Sequence, residues 1–345
     1  MRQRAARASS PTREGDQPLR AIVFDAPGEE SVLRIGDVPA PAMQPGAVRI
    51  QVAATALNRA DLLQRRGFYA PPPGASQILG LECSGTVLEV GEGVAPRTFS
   101  VGDRVMALLA GGGYAEEVVV DAGSVLPVPA GLDLINAGGL PEVALTVFSN
   151  VFQLGRLEAG GWLLVHGGGS GVGTAAIRMA REAGVRCIVT AGGAERCQRC
   201  LDLGADFAID YHTRDFAEDV LSATGGRGVD VVLDPIGGSY LDRNLRSLAI
   251  GGRLVAIGLT GGARAELDLG RLLICRLEVI GSTLRARGLA EKAAIVRGFR
   301  ERFGVALAAS RLDPVIEAVL PLEQAGEAHR MMAAGGHFGK IILRM

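Results

Sequence analysis

The sequence predicts an α/β protein of two domains, one a barrel-like β domain and the other a doubly wound parallel sheet. Three observations predict it. Residues 20 to about 130 consist of short strand-like runs separated by Gly and Pro clusters. From about residue 140, apolar runs alternate with helical stretches at the spacing of a parallel sheet covered on both faces. The length of 345 residues is more than one compact domain ordinarily holds.

The elements follow in order. Residues 1–18 carry Arg2, Arg4, Arg7 and Arg13 ahead of any acid, with Ser9 and Ser10 among them. The composition resembles a transit peptide, but no apolar periodicity makes an amphipathic helix. A disordered tail, or a start codon upstream of the true one, is the simpler expectation. Strands are expected at Ala21–Phe24, Val48–Val52, Gly85–Val90, Arg104–Leu108 and Tyr114–Val120, separated by clusters such as Pro71-Pro72-Pro73-Gly74 and Gly111-Gly112-Gly113. One helix fits Asn58–Arg65, with Asn58 placed to cap it. In the second half, strands fit Trp162–His166, Cys187–Thr190, Phe207–Asp210, Val229–Asp234 and Arg253–Ile257. Helices fit Val172–Ala183 and Glu195–Leu203. A polar, helical tail ends in the strand Gly339–Leu343. That strand cannot belong to the wound sheet, so the chain is expected to return to its first domain. The domains are then 19–139 with 283–345, and 140–282 as an insertion.

Composition narrows the function. Hydrophobic residues make up 48% of the chain, enough for sizeable cores, and the 49 glycines read as tight strand–helix turns. A formal net charge of −1 lacks the basic surplus of a nucleic-acid binder. No apolar run is long enough for a membrane span. The five cysteines, Cys83, Cys187, Cys197, Cys200 and Cys275, are odd in number and suggest reduced thiols in the cytoplasm. Cys197 and Cys200 have CxxC spacing, but no second pair completes a zinc site.

The chemistry concentrates in Leu163-Leu164-Val165-His166-Gly167-Gly168-Gly169-Ser170-Gly171-Val172-Gly173. This run joins an apolar strand to a helix, the context a dinucleotide turn requires. Ser170 stands where a strict GxGxxG has its middle glycine. Gly168, Ser170, Gly171, Val172 and Gly173 are small enough for backbone to approach a pyrophosphate, and the helix N-terminus presents free N–H groups and a positive dipole end. The Ser170 hydroxyl can donate to a phosphate or ribose. A GxSxG nucleophile elbow is not met, because Val172 stands where its last glycine would be.

The residue that reads the ribose is expected about 20 residues on, at the end of the second strand. There the sequence is Ala191-Gly192-Gly193-Ala194-Glu195-Arg196, with no acid at the strand end. Gly192 and Gly193 leave room for a 2′-phosphate, and Arg196 can pair with it. Glu195 falls in the first helical turn, where an acid suits the dipole. The expected cofactor is therefore NADPH. Tyr211 either stacks on the adenine or is a half-exposed edge tyrosine. Gly258 and Leu259, directly after a strand, complete the candidate cofactor set.

With these motifs in view, the chain resembles the zinc-free quinone oxidoreductases of the medium-chain dehydrogenase/reductase superfamily, most closely the p53-inducible branch. The resemblance runs from about residue 20 to the end. It rests on Ala56-Leu57-Asn58-Arg59-Ala60-Asp61-Leu62, Gly67-Phe68-Tyr69, Leu79-Gly80-Leu81-Glu82, the glycine turn, Asp234-Pro235-Ile236-Gly237-Gly238 and Gly339-Lys340. It implies a GroES-like β-barrel catalytic domain, a Rossmann cofactor domain and a site in the cleft between them. It also implies a homodimer through paired Rossmann edge strands, for which Leu277–Gly281 is a candidate. Zinc-dependent relatives carry Cys where Asn58 stands and His where Leu81 stands; Glu82 alone does not hold zinc, since catalytic sites need three protein ligands.

By the same resemblance, Asn58 contacts the nicotinamide or a substrate oxygen, or else is a helix N-cap. Tyr69 lines the pocket and hydrogen-bonds a developing oxyanion, or else is a core aromatic. Thr146 sits by the nicotinamide. Leu63 replaces a second pocket tyrosine of some bacterial members. His166 reads as a satisfied structural histidine. The expected activity is transfer of hydride, or of single electrons, to quinones, with conjugated enones, alkenals or enoyl groups as the alternative substrates. A non-catalytic NADPH-binding sensor or structural protein is the reading from another class.

Overall fold

The computed structural model describes residues 18–345. The reading of the N-terminal segment as tail, transit peptide or upstream start therefore lies outside the described residues. Six strands form one parallel sheet in the order Phe207–Asp210, Arg186–Ala191, Trp162–His166, Val229–Asp234, Leu248–Ala256, Glu278–Gly281. Counted along the chain this is the 3-2-1-4-5-6 order of a doubly wound Rossmann sheet. The strand order reverses between Trp162–His166 and Val229–Asp234, so a crevice opens at their carboxyl ends. The glycine turn begins there.

Packing explains why Trp162–His166 reads as a continuous apolar run. Leu163 and Val165 pack with Val189, Val231 and Leu233 on one side. Leu164 packs with Ile188, Val232 and Leu254 on the other. Successive side chains face opposite layers, and helices cover both. The helix after the turn spans Gly171–Glu182, and the next spans Ala194–Leu203. The expected strand at Arg253 begins earlier, at Leu248. Leu248 pairs with Val229, and the ladder shifts register before Arg253 pairs with Val231.

The other domain is a seven-stranded sheet built around the long strand Ala47–Ala56. That strand pairs antiparallel with Glu82–Val90, Glu117–Asp121 and the final strand Lys340–Arg344. Its ladder with Glu82–Val90 shifts register twice, and its other edge is shared, residues 47–51 pairing with Glu117–Asp121 and residues 54–56 with Lys340–Arg344, so one strand serves three neighbours. Lys340–Arg344 also pairs parallel with Ile316–Pro321. The chain end thus returns to the first sheet, and its first residue, Lys340, is delivered to the cleft. The expected strand Tyr114–Val120 begins only at Glu117. Tyr114 and Ala115 leave the sheet to pair with Ile22 and Ala21 of the first strand, Leu19–Val23.

A helix over Pro141–Val147, continued by a wider π turn over Phe148–Leu154, was not legible as an element. Most of its residues are buried, so it has no polar stripe to give a helical period. It lies in a core shared by both sheets, where Leu145 and Phe148 join Met106 and Leu126 of one to Val165 and Val231 of the other.

Candidate active site

The glycine turn is held by its own backbone. The Ser170 Oγ accepts from the Gly173 N–H at 3.0 Å, so Ser170 caps the helix Gly171–Glu182. Gly171 and Val172 occupy the first two helical positions, where an N–H has no intrahelical acceptor and can face an anion. Gly173 is required by close approach: a Cβ there would lie 2.3 Å from the Gly167 oxygen and 2.6 Å from the Gly168 oxygen. The Ser170 hydroxyl keeps its proton for donation after capping. A serine at the middle position is therefore structurally accounted for.

At the end of the second strand the two glycines are required locally. Gly193 precedes the helix with φ +88°, a left-handed conformation suited to glycine. Its N–H donates to Asp210 Oδ1 at 3.0 Å, and Asp210 also accepts from the His212 N–H. These bonds hold the Asp210 carboxyl below its ordinary pKa. Tyr211 is partly exposed, and its hydroxyl would be 2.7 Å from a Cβ at Gly192. Arg196 reaches over the turn, its Cδ 3.9 Å from a Cβ built on Gly169 and its Nη2 3.3 Å from one on Gly336. Gly258 packs against Pro235, and Leu259 is exposed beside it.

Across the crevice lies a buried polar cluster. Lys340 Nζ donates to Leu57 O at 2.8 Å and to Asn58 Oδ1 at 2.7 Å, and pairs with Glu82 Oε1 at 2.8 Å. Asn58 Nδ2 donates to Glu82 Oε1 at 2.9 Å and to Ala56 O at 3.3 Å. The Asn58 amide is thus engaged at both ends, and Asn58 is also the N-cap residue of the helix that follows it. The helix Arg59–Arg65 is capped in reverse by Asp61, whose carboxylate accepts from the N–H groups of Asn58 and Gly80 at 2.8 and 2.9 Å. Burial nevertheless pushes the Asp61 pKa up to about 6. The other Glu82 oxygen accepts from the Glu142 N–H at 3.0 Å.

Thr146 lies one helical turn after Glu142 and donates to its Oε1 at 3.3 Å. Tyr69 is half-buried, with the Arg285 guanidinium 5.3 Å from its ring centre. Arg285 is itself anchored to Ala110 O at 2.8 Å and Gln64 Oε1 at 2.6 Å. Burial raises the Tyr69 pKa, and the charge of Glu142 raises it further. Tyr69, Glu142 and Thr146 are therefore electrostatic neighbours. His166 is buried between Thr190 Oγ1 at 3.0 Å and Asn244 Oδ1 at 2.6 Å, and burial lowers its pKa to about 4. It is a neutral structural ring.

The two halves of the site touch. Gly339 N–H donates to Gly169 O at 2.8 Å, and the Lys340 stem passes so close to Gly171 that a Cβ would meet its Cδ at 2.5 Å. Residues 171–296 match the family described as zinc-binding dehydrogenase, and residues 44–130 match the GroES-like domain of alcohol dehydrogenase. The chain is 30% identical to quinone oxidoreductase of Rattus norvegicus over 95% of its own length and 98% of that protein. It belongs to the medium-chain dehydrogenase/reductase superfamily, in the group of quinone oxidoreductase-like members. The solved quinone oxidoreductase of Escherichia coli, in complex with NADPH, superposes with a TM-score of 0.82 at 26% identity over 94% of this chain and all of that one. A 30% identical stretch also occurs in a phenolphthiocerol/phthiocerol polyketide synthase of Mycobacterium tuberculosis; the match takes in 93% of this chain and spans only 14% of that protein.

In this member of the superfamily, two site residues escaped sequence reasoning. Lys340 was visible only as part of a closing motif and carried no assigned role. Glu142 lay in a helix without a readable period. Their signal was chemical: a charged residue inside an apolar segment, which burial must pair. Among the described residues, no group of three or more His, Cys, Asp or Glu side chains is arranged to hold a metal ion.

Proposed function

We propose that this protein is a zinc-free, NADPH-dependent reductase that passes hydride to quinones. The observation that carries the reading is the Lys340 ammonium. It sits against Asn58 Oδ1, Glu82 Oε1 and Leu57 O, and its stem abuts the dinucleotide turn. Zinc-dependent relatives carry Cys and His where this chain has Asn58 and Leu81. Here an amide and a leucine stand at those positions, and a lysine already neutralises Glu82. Without a Lewis acid to stabilise an alkoxide, an acceptor that takes hydride readily is favoured.

Bound NADPH supplies the hydride. The chain supplies position and exclusion of water. The Gly171 and Val172 N–H groups and the Ser170 hydroxyl would hold the pyrophosphate, with Gly168 and Gly173 allowing its approach. Gly192, Gly193, Arg196 and Tyr211 would hold the adenosine end, and Gly258 and Leu259 would flank the cofactor. Thr146 would border the nicotinamide, with Tyr69 facing the acceptor. Asn58 would shape the site through Lys340 and Glu82, because its own amide is engaged. The division into 19–139 with 283–345 and 140–282, the narrower p53-inducible placement, a cytoplasmic location and a dimer belong to the same reading.

A second reading is reduction of a C=C bond conjugated to a carbonyl, an acceptor that the same hydride geometry would serve. NADPH oxidation with an ortho-quinone, a para-quinone and an alkenal separates the readings. Turnover of the quinones is expected; turnover of the alkenal alone would give the second reading, and tight binding without turnover would give a sensor or structural protein. Arg196→Ala should weaken NADPH at least tenfold more than NADH, and equal losses would refute the phosphate role.

A further inference from the structure

Reduction by hydride leaves an anion that must gain a proton, and the residues assigned so far do not provide one. Among the carboxylates of the buried cluster, Asp61 and Glu82 are fully buried, while Glu142 is only partly so. Glu142 is therefore the member that can meet both a substrate and solvent. Unlike Glu82 it has no cation of its own, and unlike Asp61 its carboxylate is not occupied by two backbone N–H groups. All three Lys340 bonds go to Leu57, Asn58 and Glu82, and no ion pair to Glu142 occurs among the described residues.

The groups that face Glu142 come from four elements. Glu82, on its strand, accepts from the Glu142 N–H. Asp61 adds a like charge from the helix Arg59–Arg65, and Lys340 opposes both from the final strand. Thr146, on the same helix as Glu142, donates to its Oε1. Tyr69, backed by Arg285, also feels the Glu142 charge. Burial, and after it the charge of Glu82, push the Glu142 pKa up to about 7. A carboxylic acid is thus available near neutral pH, the condition under which a general acid works best.

We propose that Glu142, in its protonated form, is the proton donor of this site. The inference rests on the reductase reading. The acceptor takes hydride, with its two electrons, from the dihydronicotinamide, which is oxidised. The quinone is left as a hydroquinone monoanion. The Glu142 carboxyl O–H bond breaks, its proton joins the anionic oxygen, and the hydroquinone is complete. The carboxylate then regains a proton from water at the open side of the cleft. Thr146 is a positioning residue, since its hydroxyl fixes one Glu142 oxygen and leaves the other for the proton.

The test compares wild type, Glu142→Gln and Thr146→Val with saturating NADPH and a para-quinone across pH 5.5 to 9. Wild-type kcat should fall about tenfold per pH unit above pH 7, as the acid form is lost. Glu142→Gln should lower kcat by about 100-fold at pH 6, abolish that limb and leave the KM for NADPH within about twofold. Thr146→Val removes a bond that favours the carboxylate, so the limb should move to higher pH. Independently of turnover, a protonated-carboxyl infrared band titrating near pH 7 should be present in the cofactor-free protein and missing from Glu142→Gln. An active wild type whose kcat and pH profile survive Glu142→Gln, or the absence of that band, overturns the proposal alone. A wild type inactive with quinone and enone alike overturns the reductase reading and this inference together.

Discussion

Replacing Lys340 with methionine tests whether the buried cluster is organised around one charge. Methionine keeps the apolar stem against Gly171 and removes only the ammonium. The ion pair it breaks is sealed: side-chain exposure is 4% for Lys340 and 0% for Glu82. Removing one partner of a buried pair typically costs about 3–5 kcal/mol. An independent route gives the same scale. An orphaned buried carboxylate takes up a proton instead of staying charged, and at pH 7 this costs a carboxyl of ordinary acidity about 4 kcal/mol. Leu57 O and Asn58 Oδ1 also lose a donor at about 1 kcal/mol each, which the buried methionine partly offsets. Urea unfolding at pH 7 should therefore show Lys340→Met about 3–5 kcal/mol less stable than wild type. Adding Glu82→Gln should recover about half of the loss or more, because no charge then remains to be neutralised. The sign with pH follows: proton uptake becomes easier on acidification, so the deficit should shrink by up to about 1.4 kcal/mol per unit between pH 7 and 5. A loss below about 1 kcal/mol, or a deficit indifferent to pH and to Glu82→Gln, would refute the reasoning.

Gly173→Ala places a methyl against two backbone oxygens, so the turn must open; fluorescence titration should show NADPH binding weakened at least 100-fold, and a dissociation constant within threefold of wild type would sink the close-approach argument. Val279 lies on the edge strand Glu278–Gly281, a few residues after the exposed Leu273 and Ile274, so sedimentation should find a dimer that Val279→Asp converts to monomer; an unchanged dimer would place the interface elsewhere. Burial holds His166 neutral by lowering its pKa to about 4, so its contribution is complete above the ordinary histidine range and is lost as pH falls through 4. The stability of wild type relative to His166→Asn should therefore decline between about pH 6.5 and 4, and a difference constant with pH would contradict this.

Much of the wound sheet was legible because its strands are covered on both sides. Trp162–His166 and Val229–Asp234, buried along almost their whole length, fall where their apolar runs place them. The β domain was harder. Its strands bend and change partners, so a run such as Tyr114–Val120 divides between two sheets although its pattern is continuous. The helix from Pro141 was hidden because a segment buried on most sides lacks the alternation that pattern reading needs.

The candidate site divides along the same physical line. The cofactor turn was readable because its requirements are local: a strand, small residues and a helix start within one short segment, with Ser170 doing for the Gly173 N–H what an N-cap does anywhere. The proton-bearing half is non-local. Asn58, Glu82, Glu142 and Lys340 are separated by 24 to 282 positions and meet only because the last strand returns beside Ala47–Ala56. In sequence, Asn58 looked like a helix cap or a substrate contact. In the fold Asn58 stands at the N-cap, with Asp61 reaching back to its N–H, and the Asn58 amide is also tied to Lys340 and Glu82. What changes is the meaning of the absent zinc-ligand pattern. Asn58 and Leu81 do not simply leave a gap beside the dinucleotide turn. Lys340 supplies a fixed positive charge there, which neutralises Glu82 and leaves Glu142 as the carboxyl able to exchange a proton.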